Sequence, residues 1–131
     1  MDTVNEIEVG TKRQLRETLE ERLINFSIGI LKLSEELPNS KAGSHISGQL
    51  IRCGTSPAFN YGEAQSDESR ADFIHKMKVC LKELRETLVC LKIIFKKPLV
   101  QNLDIVTTNM KECNELISIF VKSINTAANN K

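Results

Sequence analysis

The stretch LDIVTTNMKECNELISIFVKSI, residues 103–124, decides the fold class. Its apolar residues Leu103, Val106, Met110, Cys113, Ile117, Phe120 and Ile124 recur at alternating steps of three and four. That spacing follows the 3.6-residue period of an α-helix and places the whole set on one face. A strand would need alternation with period two, and no such run of Val, Ile or Thr occurs elsewhere in the chain.

The same pattern repeats upstream. Phe73, Met77, Cys80, Leu81, Leu84, Leu88, Leu91 and Phe95 predict a helix from Ser69 to about Lys96. Ser69-Arg70-Ala71-Asp72 has the form of a capping box, with Asp in place of the usual Glu. Lys96-Lys97 complement the negative end of the helix dipole, and Pro98 terminates it. Between Thr11 and Leu37, the series Leu19, Leu23, Phe26, Ile30, Leu33 and Leu37 predicts another long helix, stopped by Pro38.

The remaining segment, Lys41 to about Asp67, carries Ile46, Leu50, Cys53, Pro57, Tyr61 and Ala64 along one side. Gly54-Thr55-Ser56-Pro57 interrupts it with helix-breaking residues. One kinked helix is expected; the alternative is a break near Gly54 to Ser56, with Ser56 capping a fresh helix at Pro57. Four amphipathic helices with short connections predict an all-α, antiparallel up-down-up-down four-helix bundle over residues 11–126. Residues 1–10 are expected as a flexible tail and 127–131 as a frayed end.

The composition agrees with one folded domain: 131 residues, 40% hydrophobic, with a net charge of +1. Disorder as the dominant state is excluded, because it needs fewer apolar residues and a larger net charge. The opening Met1-Asp2-Thr3-Val4-Asn5-Glu6 has no basic and apolar signal, and no apolar run approaches the roughly 18 residues of a membrane span. A cytoplasmic protein without a membrane partner is expected. Cys53, Cys80, Cys90 and Cys113 have no CxxC pairing and are read as reduced, buried thiols behaving as small hydrophobes.

Near-neutrality conceals segregation. Residues 69–97 hold eight basic and three acidic residues, a net +5, whereas residues 1–40 sum to −3. The third helix therefore offers Lys76, Lys78, Lys82, Arg85 and Lys92 as candidate contacts to the phosphates of RNA or DNA. These five are not expected to point one way on a single helix. A ring of subunits would still multiply whichever are exposed.

A second candidate set lies in LIRCGTSPAFNYGEA, residues 50–64. Arg52, Ser56, Asn60 and Glu63 fall within roughly 80° on a helical wheel, beside the apolar stripe. They are expected to form a polar network in the bundle or at a subunit contact, with Lys82, Glu83, Arg85 or Glu86 opposite. Asp72-Phe73-Ile74-His75 has the spacing of half a carboxylate-bundle metal motif, but the chain lacks any Glu-x-x-His, so no metal or other cofactor is expected. His75 is read as a helix-surface residue. No nucleophile elbow, phosphate loop or Cys/His arrangement supports an enzyme or a small-molecule substrate.

Residues 50–87, LIRCGTSPAFNYGEAQSDESRADFIHKMKVCLKELRET, closely resemble the signature of a family of bacterial four-helix-bundle proteins, the ribosomal-RNA intervening-sequence proteins. The matching positions are Arg52, Thr55, Ser56, Asn60, Tyr61, Glu63, Ala64, Ser69, Asp72, Phe73, Lys82 and Glu83, with a departure at Pro57-Ala58 where many members have an aliphatic residue and Gly. The resemblance extends from about Leu15 to Ile124. It implies an antiparallel bundle that assembles into a cyclic homo-oligomer, most simply a pentamer, without known catalysis. A related protein, the accessory variability determinant of diversity-generating retroelements, resembles a basic barrel that binds nucleic acid and a reverse transcriptase.

These readings lead to a non-enzymatic, homo-oligomeric interaction or scaffold protein. RNA or DNA binding through the third helix is the alternative.

Overall fold

The computed structural model describes residues 4–66 and 69–130, with side chains from residue 19 onward. Four helices follow one another: α1 (Val4–Glu35), α2 (Lys41–Ala64), α3 (Arg70–Lys96) and α4 (Leu103–Asn129). Among the described residues there is no strand. α1 starts upstream of the expected Thr11, since no Pro interrupts the chain between Val4 and Leu19. At the other end α4 continues through Ala127-Ala128 to Asn129, alanine being the best helix former. Residues 1–3 and 131 of the expected tail and frayed end lie outside the described residues.

Helix starts are set by side-chain caps. Ser40 Oγ accepts from the Gly43 N–H at 3.0 Å, Ser69 Oγ from Asp72 N–H at 3.1 Å, and Asn102 Oδ1 from Asp104 N–H at 3.0 Å. Each satisfies a donor that the first helical turn leaves unpaired.

α2 runs unbroken through Gly54 and Pro57, so the alternative break is absent. Pro57 is buried, and the missing hydrogen bond, together with the clash of its ring, costs an isolated helix about 3 kcal/mol or more. Packing on both flanks outweighs that cost, since most helix stability in proteins is tertiary. Gly54 is required for that packing rather than for a turn. A Cβ there would lie 2.6 Å from Cγ2 of the buried Ile30 on α1. Ser56 caps nothing; its hydroxyl accepts from Asn60 Nδ2 at 2.9 Å, within the helix.

Cross-helix pairs give the topology. Arg52 meets Glu83 and Glu86, and Glu63 meets Lys76, so sequence rises along α2 as it falls along α3. Ser27 against Gly54 places α1 beside α2, while Arg22 with Glu112 and Gly29 beside Asn109 make α1 antiparallel to α4. Each helix packs on its chain neighbours and α4 closes against α1, whereas the backbones of the diagonal pairs α1/α3 and α2/α4 stay apart and meet only through core side chains such as Tyr61 and Phe120. The result is the expected all-α four-helix bundle. Its core includes Leu23, Phe26, Ile30, Leu50, Leu84, Leu91 and Phe120, with the Tyr61 and Phe120 rings edge to face at 6.0 Å.

Candidate functional site

Two kinds of polar surface are built on this frame. The first is the seam between α2 and α3. Glu83 is only 7% exposed, and Arg52 reaches it from α2 at 2.8 Å while also binding Glu86 at 2.9 Å. The Arg52 guanidinium forks between two carboxylates one helical turn apart on α3. Its hydrogen bond to Glu86 and the charge of Glu83 raise its pKa above the ordinary value, so it is permanently charged. Asn60 bonds the Ser56 hydroxyl and carbonyl, and Glu63 lies 3.5 Å from Lys76. The four residues of the α2 stripe thus form three local contacts rather than one connected network.

Lys82 does not join them. One residue before Glu83 on a helix is a rotation of about 100°, which carries Lys82 out of the seam to the outer face of α3.

That outer face is the second polar surface. Lys78, Lys82, Arg85 and Lys92 are all exposed, and with Val89 and Lys96 they recur at steps of four and three. All six lie within about 80° on the wheel, on a line rising roughly 27 Å. The five basic residues thus do not all point one way: four share the outer face, and Lys76 turns away, toward Glu63 in the seam. The same i, i+4, i+7 counting used for the apolar stripes would have found this row in the sequence. Among the described residues, none of Lys78, Lys82, Arg85 and Lys92 has a carboxylate within ion-pair distance, and a shallow depression runs beside Lys78, Lys82, Arg85 and Val89.

Exposed apolar side chains on α1 and α2 make a further surface that the sequence reading did not isolate. Ile24, Ile28 and Leu31 on α1 are 46%, 44% and 39% exposed, and Ile51 and Phe59 on α2 are 37% and 71% exposed. The contact of Ser27 with Gly54 sets the register, so Leu31 stands near Ile51 and Ile24 lies toward Phe59. Glu20, Glu21 and Glu35 flank the patch on α1. Because these side chains interrupt the polar face expected of an amphipathic helix, a count of exposed apolar positions on α1 would have flagged them.

His75 is exposed on α3, as expected. Among the described residues, no group of three or more His, Cys, Asp or Glu side chains is placed to hold a metal ion. None of the described helices is long and apolar enough to cross a membrane. The described cysteines are free, with Cys53, Cys80 and Cys113 buried and Cys90 half-buried.

The conserved pattern of 23S rRNA-intervening sequence proteins matches residues 18–122, which takes in the seam, the basic row and the apolar face. The chain belongs to the 23S rRNA-intervening sequence protein family. A solved structure agrees with that assignment: a protein of unknown function from the S23 ribosomal protein family of Bacteroides thetaiotaomicron, at 27% identity and a TM-score of 0.74. The similarity covers 81% of this chain and 97% of that one. No curated protein matches the chain. Within the family frame, Pro57 sits at the departure from the pattern noted above, and α2 absorbs it without breaking.

Proposed function

We propose that this protein is a non-enzymatic, homo-oligomeric interaction protein of the bacterial cytoplasm, assembled as a cyclic ring and most simply as a pentamer. The observation that carries this reading is the exposed apolar face of α1 and α2, with Phe59 at its end 71% exposed. A face of this kind on a helical bundle marks a protein contact. A ring requires two different surfaces on each copy. The second surface is the C-terminal part of α3, where Val89 and Ile93 are 57% and 45% exposed beside Lys92 and Lys96. Glu20, Glu21 and Glu35 around the first face complement those lysines in charge. Arg52, Glu63 and Glu83 then serve the bundle itself, holding α2 against α3, while Ser56 and Asn60 bond each other within α2.

Sedimentation velocity of the purified chain tests the assembly. A discrete oligomer is expected, and Ile28→Lys with Phe59→Lys converts it to a folded monomer. A wild-type chain that sediments as a monomer at micromolar concentration overturns the reading.

The aligned basic row favours a second reading, binding of RNA or DNA, with ribosomal RNA suggested by the family. Lys78, Lys82 and Arg85 lie outside the proposed subunit contact and would be repeated around the ring, so weak phosphate contacts would add by avidity. Affinity for a ribosomal RNA fragment is expected to fall steeply with salt and to be lost in Lys82→Glu/Arg85→Glu. Binding that is undetectable at low ionic strength removes this reading.

A further inference from the structure

We propose that the cleft between α1 and α4 binds a small uncharged molecule carrying an adenine ring, of the nucleoside class, through the side-chain amide of Asn109. α1 and α4 pack least closely of the neighbouring helix pairs. The gap between them is a cleft of about 590 Å³. That volume lies in the range of roughly 300–1,000 Å³ typical of small-molecule sites. Its wall on α1 includes Asn25 and Gly29, each one residue beyond Ile24 and Ile28, so the cleft is turned by about 100° from the exposed apolar side chains of that helix.

Asn109 stands in the cleft and is only 9% exposed. Its Nδ2 donates to the Ile105 carbonyl at 2.8 Å, which fixes the orientation of the amide. Oδ1 then faces Gly29 across the cleft, where a Cβ would lie 2.8 Å from it. Glycine therefore keeps this acceptor open. Among the described residues, no donor reaches Oδ1. The other buried polar side chains behave differently: Glu83 accepts from Arg52, and the Thr87 hydroxyl donates to the Glu83 carbonyl. A buried carbonyl oxygen without a donor is destabilising, so Asn109 marks a place where a donor from outside the chain is favoured.

The surroundings select the kind of molecule. At one end of the cleft Glu112 accepts two hydrogen bonds from Arg22, at 3.0 and 2.7 Å. At the other end Lys32 and Asp104 contribute one charge of each sign. No surplus charge is left to hold a phosphate or a polyamine. Phe26 and Ile105 add apolar wall, which suits a flat, uncharged ring. The Asn109 Nδ2 carries two hydrogens and uses one on Ile105. The second hydrogen and Oδ1 make the donor and acceptor pair that matches N7 and the N6 amino group of adenine. Hypoxanthine has an acceptor, O6, in place of that amino group and would set oxygen against oxygen.

Isothermal titration of the full chain with adenosine tests the proposal. Saturable binding is expected, roughly tenfold or more tighter than for inosine. Adenosine monophosphate should bind no more tightly than adenosine. Gly29→Ala, whose Cβ displaces the amide, should abolish binding. Thr108→Trp, at an exposed position of the cleft, should do the same without disturbing the core, and circular dichroism checks that both chains are folded. Four results would overturn the proposal: no binding at millimolar adenosine, equal affinity for adenosine and inosine, a monophosphate that binds much more tightly than the nucleoside, or unchanged binding in folded Thr108→Trp.

Discussion

The two long sides of α3 carry similar residue types and do different work. On the side toward α2, Glu83, Glu86 and Lys76 are matched by Arg52 and Glu63 from the neighbouring helix. On the outward side, Lys78, Lys82, Arg85 and Lys92 form a row of one sign with no carboxylate of the described residues in reach. Charge on a helix surface is therefore not uniform in meaning. Where opposite charges interleave across a seam, they set register and close the bundle; where one sign repeats along a face, mutual repulsion is tolerated and the complement must come from outside the chain.

The strongest way to break the inner side lies just beneath the seam. Leu84→Ala removes a fully buried side chain of α3 and should destabilise the fold by about 2–5 kcal/mol in urea denaturation. Arg52→Ala should lower the melting temperature by less, because the arginine itself is half exposed although Glu83 is left buried without its cation. Arg52→Lys should recover only part of that loss, since an ammonium cannot fork between Glu83 and Glu86.

A subtler measurement on the same side is the pH dependence of stability. Cys53 is lowered from 9.0 to about 7, so the unfolded chain binds more thiol protons between those values and stability should rise as pH increases from about 7 to 9. Above about 9 the sign reverses: the unfolded thiols ionise, while Cys80 and Cys113, held up to about 12, and Cys90, also raised, keep their protons in the fold. Cys53→Ser should abolish the rise and leave the fall. The smallest effect on stability belongs to the outer row. Lys82→Glu/Arg85→Glu should leave the unfolding free energy within roughly 0.5 kcal/mol per substitution while removing any salt-dependent RNA binding, a separation that would sharpen the contrast between the two sides.

The helices were legible because their apolar stripes are local patterns. Ser69 caps where local chemistry places it, and Pro38 and Pro98 fall in the connections they predict. Continuity at Pro57 was not decided locally, since the penalty of a mid-helix proline is offset by the contacts of α2 with α1 and α3, which no window of the sequence contains. Arg52 and Glu83 were legible as partners by residue type. Their separation from Asn60 and Ser56, and the exclusion of Lys82, depended on rotations about two helix axes at once.

By itself the sequence determined four amphipathic helices, their order and the connections between them, and the basic character of α3. Hydrophobic periodicity and capping act over a few residues, which is why these features can be read without a fold. The tertiary structure alone decided which faces meet: Gly54 under Ile30, Arg52 between Glu83 and Glu86, and apolar side chains of α1 and α2 left open on the outside. Those outcomes depend on the register and axial rotation of each helix against its neighbours. Both are set by packing the whole core to density, and no single helix encodes them.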